Sequence, residues 1–215
     1  MTPAERGLWT SGGTHRDLAV FTERALRLDE AAVVRLRERA DGLVIAWAAT
    51  GFDVLASRAV AGRVRPVDLT VAADTLARGL AAPGPDGHVD PGYPMDSAWR
   101  GALPPDGGFA HVDDVPARAV LDLARRGGAL AREAGGAARP PASLLDQQVI
   151  EVSAGDVTVG VPMRCVFALV AMGFVPPDAG DDEVVRVRAT RTWLRIDARF
   201  GSVYRHRGGP ALLVG

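Results

Sequence analysis

The sequence predicts an α+β protein with antiparallel sheets and flanking helices in two subdomains. Short β-rich runs follow one another across turn signals, and segments of helical periodicity separate these groups of runs. A stretch rich in Pro and Gly then divides the chain. The expected boundaries are an N-terminal subdomain over 14–82, a linker over 83–97 with four Pro and three Gly, and a C-terminal subdomain over 98–215.

Residues 1–13 have no apolar run, and Ser11-Gly12-Gly13 reads as a flexible lead-in. Thr14, with Asp17 three residues on, reads as an N-cap, and Leu18, Phe21, Ala25 and Leu28 recur at helical spacing, so the first helix is expected near 15–28. Val33 to Arg37, Leu43 to Ala49 and Phe52 to Val60 are β-rich runs separated by Ala40-Asp41-Gly42 and Thr50-Gly51, which makes an antiparallel meander. Asp68 to Val71 adds a strand, and Ala72 to Leu80 a helix ended by Ala82-Pro83-Gly84-Pro85.

In the second half, Val115 to Ala134 reads as a helix capped by Asp113 or Asp114, with Pro116 in its first turn and Gly127-Gly128 in its middle. Gly135 to Ala142 breaks it, and Ser143 to Gln148 reads as a short helix. Val149 to Val152 and Val157 to Val159 flank Ala154-Gly155-Asp156 as a hairpin. A helix over Pro162 to Met172 and strands over Val184 to Ala189, Trp193 to Phe200 and Ser202 to His206 follow. The ends echo one another: a helix leads to Val33-Val34-Arg35-Leu36-Arg37 in one and to Val184-Val185-Arg186-Val187-Arg188 in the other, and Trp47 and Trp193 stand in the next strands. An internal duplication of a helix plus three strands is one reading of this echo, and chance recurrence in Val- and Arg-rich strands is the other.

Composition narrows the chemistry. All 25 basic residues of the 215 are Arg, the chain has neither Lys nor Asn, and the net charge is −1. This bias suggests a high-GC bacterial genome and weakens any argument from Arg content alone. The single Cys165 excludes an internal disulfide framework and the paired-Cys zinc patterns, which fits a reducing, cytoplasmic setting. Without Lys there is no P-loop, and neither a nucleophile-elbow serine nor a metalloprotease His pair is present. Cys165 lies beside Arg164 in an otherwise apolar helix, so it is expected in the core and unreactive.

Two patterns remain. His88-Val89-Asp90 and His111-Val112-Asp113 each place an imidazole and a carboxylate at i and i+2, which share one side of an extended strand, so His88, Asp90, His111 and Asp113 are the candidate metal ligands. Their place in a Pro/Gly-rich region argues that the copies do not share a site. The second pattern is charge: residues 184–215 hold seven Arg against the single Asp197, preceded by Asp178, Asp181, Asp182 and Glu183. Strand alternation puts Arg186 and Arg188, then Trp193, Arg195 and Arg199, on one outer face, which the acidic residues can fold over. Arg forks and a Trp suit carboxylate or phosphate partners.

Leu144-Leu145-Asp146-Gln147-Gln148, the helix Met163 to Val175 and the run from Trp193 to Tyr204 resemble an uncharacterised protein family of high-GC Gram-positive bacteria, mostly over the C-terminal half. The resemblance implies a bacterial, cytoplasmic protein and brings no assigned activity, cofactor or catalytic residue. The expected function is a non-enzymatic interaction module that binds an acidic protein partner or itself, needs no cofactor and does not enter a membrane. The rivals are a metal-dependent enzyme on the His/Asp pairs and a nucleic-acid binder on the Arg/Trp face, the latter opposed by a pI near 6.4.

Overall fold

A computed structural model describes residues 6–10, 12–84, 86–133 and 140–208. It divides into two compact units, with the boundary after Ala102 and with Phe52–Val54 belonging to the second unit. Residues 135–139 of the break expected over 135–142, and residues 1–5 and Ser11 of the expected lead-in, lie outside the described residues.

In the first unit the elements are β1 (Gly7–Thr10), α1 (Gly12–Leu28), β2 (Val33–Glu38), β3 (Leu43–Ala49), β4 (Leu55–Arg65), β5 (Asp68–Ala72), α2 (Ala73–Ala81) and the two-residue β6 (His88–Val89). The strands pair antiparallel in the order β5-β2-β3-β4-β1-β6. Alternation is strict on β2, whereas on β5 Thr70 is buried along with its neighbours. Val34 and Leu36 on β2, Val44 and Ala46 on β3, and Leu69 and Val71 on β5 are fully buried, while Arg35 and Arg37 between them are not. Leu18, Phe21 and Ala25 of α1, at helical spacing, and Leu76 and Leu80 of α2 cover this apolar side. His15 joins three elements: its Nε2 bonds the Leu80 carbonyl at 2.7 Å and its Nδ1 lies 3.0 Å from the Thr10 hydroxyl.

Three expectations are corrected here. Gly7–Thr10 is a strand bonded on both sides, not part of a flexible lead-in. Four residues beside a Gly pair are too few for periodicity to register. The helix begins at Gly12, so Thr14 stands inside its first turn and its hydroxyl donates to the Ala61 carbonyl at 3.4 Å. Residues 83–97 do form turns, but they pack on the first unit as well: β6 pairs with β1, the Met95 N–H donates to the Thr70 carbonyl at 2.7 Å, and Asp96 Oδ1 accepts the Thr70 N–H at 2.8 Å. This segment covers the open edge of β5.

The second unit holds β7 (Ala110–Pro116), α3 (Ala117–Glu133), the short α4 (Ala142–Leu145), β8 (Gln148–Ala154), β9 (Val157–Pro162), α5 (Met163–Ala171), β10 (Val184–Ala189), β11 (Trp193–Ala198) and β12 (Gly201–His206). Its sheet runs β7-β10-β11-β12, and β8-β9 form a separate ribbon. Asp113, Asp114 and Pro116 are residues of β7, not a cap and first turn, and α3 starts only at Ala117, whose N–H donates to the Glu183 carbonyl. Gly127 in the middle of α3 is explained by packing: a Cβ there would lie 2.9 Å from both Met163 Cε and Phe167 Cζ of the apposed α5. Arg164 of α5 is 8% exposed and bonds Asp146 and the Phe52 carbonyl, the latter at 2.6 Å.

The echo in the sequence is a structural repeat. The order strand, helix, three strands appears as β1-α1-β2-β3-β4 and as β9-α5-β10-β11-β12. In each case the strand that leads into the other helix, β5 before α2 and β7 before α3, pairs with the first of the three, β2 or β10.

Gly79 lies in α2, where Ala would raise helix propensity by about 1 kcal/mol. A Cβ at this position collides with the Asp90 carbonyl oxygen. Gly79→Ala should therefore lower stability by about 1–3 kcal/mol in urea denaturation. A gain would show that residues 83–97 do not pack on α2.

Candidate interaction surface

The strands of the second unit bury Val185, Val187, Ala189, Leu194, Ile196 and Val203 and turn Arg186, Arg188, Trp193, Arg195 and Asp197 to the other side. Arg186 stands opposite Asp197 on β11 and Asp114 on β7; Arg188 stands opposite Arg195, which in turn faces Tyr204 on β12. Asp197, 18% exposed at its side chain, is the hub. Its Oδ2 accepts from Arg188 Nε at 2.9 Å, and its Oδ1 accepts from Arg195 Nε at 2.6 Å and from the Ser202 hydroxyl at 2.5 Å. The Arg195 guanidinium also lies over two rings, 5.5 Å from the centre of Tyr204 and 5.7 Å from that of Phe109. A carboxylate below and aromatic rings beside it hold this Arg in one rotamer.

Trp193 is half-buried and meets His206 edge-on at 5.3 Å between ring centres. Arg199 is not on the strand face: it forms the turn between Ala198 and Gly201 with Phe200, and its Nη1 lies 3.3 Å from Glu183 Oε2. Asp181, expected over the Arg face, pairs with Arg118 at the start of α3. Phe109, Ser202 and Tyr204 were not singled out from the sequence. Tyr204 and Ser202 become visible only once the two-residue turn fixes the β11-β12 register, and Phe109 stands in a Gly-rich stretch without periodicity.

Neither His-Val-Asp copy forms an imidazole–carboxylate pair. In the first unit, His88 packs on Trp9 at 5.2 Å, and Asp90 Oδ1 accepts the Gly92 N–H. In the second, Val112 is an extra residue in the β7-β10 register, so the alternation slips there and His111 Nε2 meets Asp114 Oδ1 at 2.8 Å instead of Asp113. Among the described residues no group of three or more His, Cys, Asp or Glu side chains could hold a metal ion, and no helix is long and apolar enough to cross a membrane.

A polar groove of about 490 Å³ opens between the β8-β9 ribbon and the ends of β11 and β12, with Glu151, Gln148 and Arg205 on its walls and Leu194 in its floor. The residues that line it include no Ser, Thr, Cys or Tyr. Arg205 lies 3.6 Å from Asp146, the same carboxylate that holds Arg164. Cys165 is buried next to these groups. Burial pushes its thiol up to about 12, against a smaller downward pull from Arg205 and Arg164.

The outer face of the first unit repeats the carboxylate-centred arrangement. Asp68 takes both Arg35 Nε at 2.7 Å and Arg35 Nη2 at 2.8 Å, with Arg37 Nε at 3.5 Å, and Trp99 lies 5.7 Å from the Arg35 guanidinium. The two units thus share a feature: one Asp pairs with two strand arginines, Asp68 with Arg35 and Arg37 and Asp197 with Arg188 and Arg195, and one arginine of each pair, Arg35 or Arg195, lies against an aromatic ring.

With this geometry in view, comparison with known proteins defines the class of fold. Residues 104–210 match the family model described as Domain of unknown function (DUF8185), and residues 3–101 match Domain of unknown function (DUF8010). The two matches fit an uncharacterised family and meet where the compact units do. No match is found among curated proteins. Among solved structures the chain is similar to DNA polymerase sliding clamps. The clamp from Bacillus subtilis has a TM-score of 0.59 at 10% identity over 95% of this chain and 65% of that one. For Caulobacter crescentus the values are 0.56, 13%, 96% and 66%, and for the griselimycin-bound DnaN clamp of Bartonella birtlesii 0.54, 14%, 94% and 64%. The chain spans just under two thirds of the length of these clamps. The similarity shows the fold, an α+β arrangement of repeated domains.

Two outcomes test this surface. Above the ordinary thiol pKa the unfolded chain loses the Cys165 proton while the folded chain keeps it, so stability falls as pH rises toward 12. Cys165→Ala should remove a decline of up to about 1.4 kcal/mol per pH unit above pH 9, read by urea denaturation between pH 8 and 10.5. Equal pH slopes for the two proteins would contradict the burial argument. Asp197→Asn should cost about 1 kcal/mol, reduced by partial exposure, and should broaden the Arg195 Nε resonance in NMR spectra. An unchanged resonance would remove Asp197 as the hub.

Proposed function

We propose that the chain is a non-enzymatic protein-interaction module on a clamp-like fold, and that the outer face of the second unit receives an acidic protein surface. The observation that carries this reading is Arg195, bonded to Asp197 and lying against the edge-on pair of Phe109 and Tyr204, with Trp193 on the same strand. Arg, Tyr and Trp dominate binding hot spots, and an Arg already held in one rotamer loses less entropy on contact. The acidic partner is favoured by Arg186, which is exposed and has no ion pair among the described residues. The clamp-like fold supports a role in assembly, with a protein partner or a second copy of this chain. Neither His-Val-Asp copy supports the metal-dependent rival.

Trp193→Ala and Arg186→Glu, each made alone, test the reading by affinity capture followed by titration of the purified partner. Each should weaken binding about 10- to 100-fold, and raised salt should weaken the wild type but not Arg186→Glu to the same degree. Undiminished binding by both variants would remove this face. Sedimentation of the chain alone at rising concentration separates self-association from a second protein.

A further inference from the structure

Trp9, Arg63, Arg65 and His88 lie on three adjacent strands of the first unit. In register Trp9 stands opposite Arg63 on β4 and opposite His88 on β6, while Gly7 stands opposite Arg65. Their chain neighbours Leu8, Val64 and Val89 are fully buried, so these four side chains share the solvent side of the sheet. The Arg63 guanidinium lies 5.8 Å from the centre of the Trp9 ring, and the Trp9 and His88 rings are 5.2 Å apart and tilted by 57°. Gly7 makes room for both rings: a Cβ there would stand 2.6 Å from His88 Nε2 and 2.7 Å from Trp9 Cη2.

Ion pairing separates this stripe from the Arg35 and Arg37 face and, Arg186 excepted, from the Arg face of the second unit. Arg35 and Arg37 have Asp68, and Arg188 and Arg195 have Asp197. Arg63 and Arg65, both exposed, have no ion pair among the described residues. The two carboxylates nearest in sequence to His88 are taken by backbone: Asp86 accepts the N–H of His88 at 3.1 Å and Asp90 that of Gly92 at 3.0 Å. Arg63 and Arg65, about 7 Å apart along the backbone of one strand and without an ion pair among the described residues, flank the two converging rings, and Glu38 Oε2 accepts the Val64 N–H between them at 2.8 Å.

We propose that this stripe binds single-stranded nucleic acid, with Arg63 and Arg65 on phosphates and Trp9 with His88 as the platform for a base. Guanidinium forks match phosphate oxygens, and a sequence-tolerant stacking surface beside a cationic track is how single strands are held. An acidic protein segment would use the charge, and the Trp9 and His88 rings side by side next to it favour a flat base as the occupant. This site lies on a different unit from the protein-binding face proposed above and stands or falls independently of it.

The test is fluorescence anisotropy of a labelled oligothymidine of about 15 nucleotides with the full chain over a range of salt. The wild type should bind, with log K falling linearly with log salt. Arg63→Gln with Arg65→Gln should weaken binding and flatten that slope by about 1.4, the loss of two phosphate contacts on a single strand. Trp9→Leu should weaken binding about 10- to 100-fold with the slope unchanged, Trp9→Phe should restore most of it, and Trp193→Ala should leave it as in the wild type. No saturable binding by the wild type overturns the proposal. So does binding unaffected by the Arg pair, loss of binding in Trp193→Ala, or competition by polyglutamate as effective as that by unlabelled oligothymidine at equal charge.

Discussion

The two-residue alternation of the strands is the constraint on which the rest depends. Val34 and Leu36 on β2, and Val185 and Val187 on β10, are each buried to within 2% of completely, and a slip of one residue would drive Arg35, Arg37, Arg186 or Arg188 into the helices. Burying an unpaired guanidinium costs several kcal/mol, so the register is locked by what must stay outside as firmly as by what must stay inside. Both outer faces follow from this. Their Arg content is a consequence of the pattern, and their chemistry is decided by where carboxylates and rings fall among the arginines.

The repeat uses this constraint twice and with different results. Asp68 comes to Arg35 from the neighbouring strand β5, whereas Asp197 comes to Arg188 from β11 and to Arg195 from two residues along its own strand. One carboxylate between two guanidiniums leaves net positive charge but removes its mobility. Such a surface is preorganised for a shaped partner rather than for loose counter-ions. At Arg63 and Arg65 the same strand pattern comes without the carboxylate, and the charge stays available.

Much of the fold was legible because its elements obey simple periods. The meander of β2, β3 and β4, the β8-β9 hairpin, α5 and the last three strands are close to where alternation, turn residues and apolar runs put them, and the likeness of Val33–Arg37 to Val184–Arg188 reflects a true repeat. What was hidden depends on long-range partners. Gly7–Thr10 is a strand because β4 and β6 lie on either side, and Asp113-Asp114 looks like a helix cap until β10 is known to pair with it. The Arg-bearing face, though not its role, was readable in outline: Arg186, Arg188, Trp193 and Arg195 do share a face, but Arg199 turns away because Arg199 and Phe200 are needed for the hairpin turn. Phe109 reaches Arg195 from a part of the chain with no local signal at all.

The central claim is that the outer face of the second unit is the contact surface for a protein. Hydrogen–deuterium exchange of the full chain, with and without a saturating amount of the captured partner, tests it most directly. Added protection is expected along β10 and β11, from Arg186 to Asp197, and at Phe109 in the loop before β7, with α3 and α5 unchanged. Protection confined to the helices, with β10 and β11 exchanging as in the free chain, would contradict it.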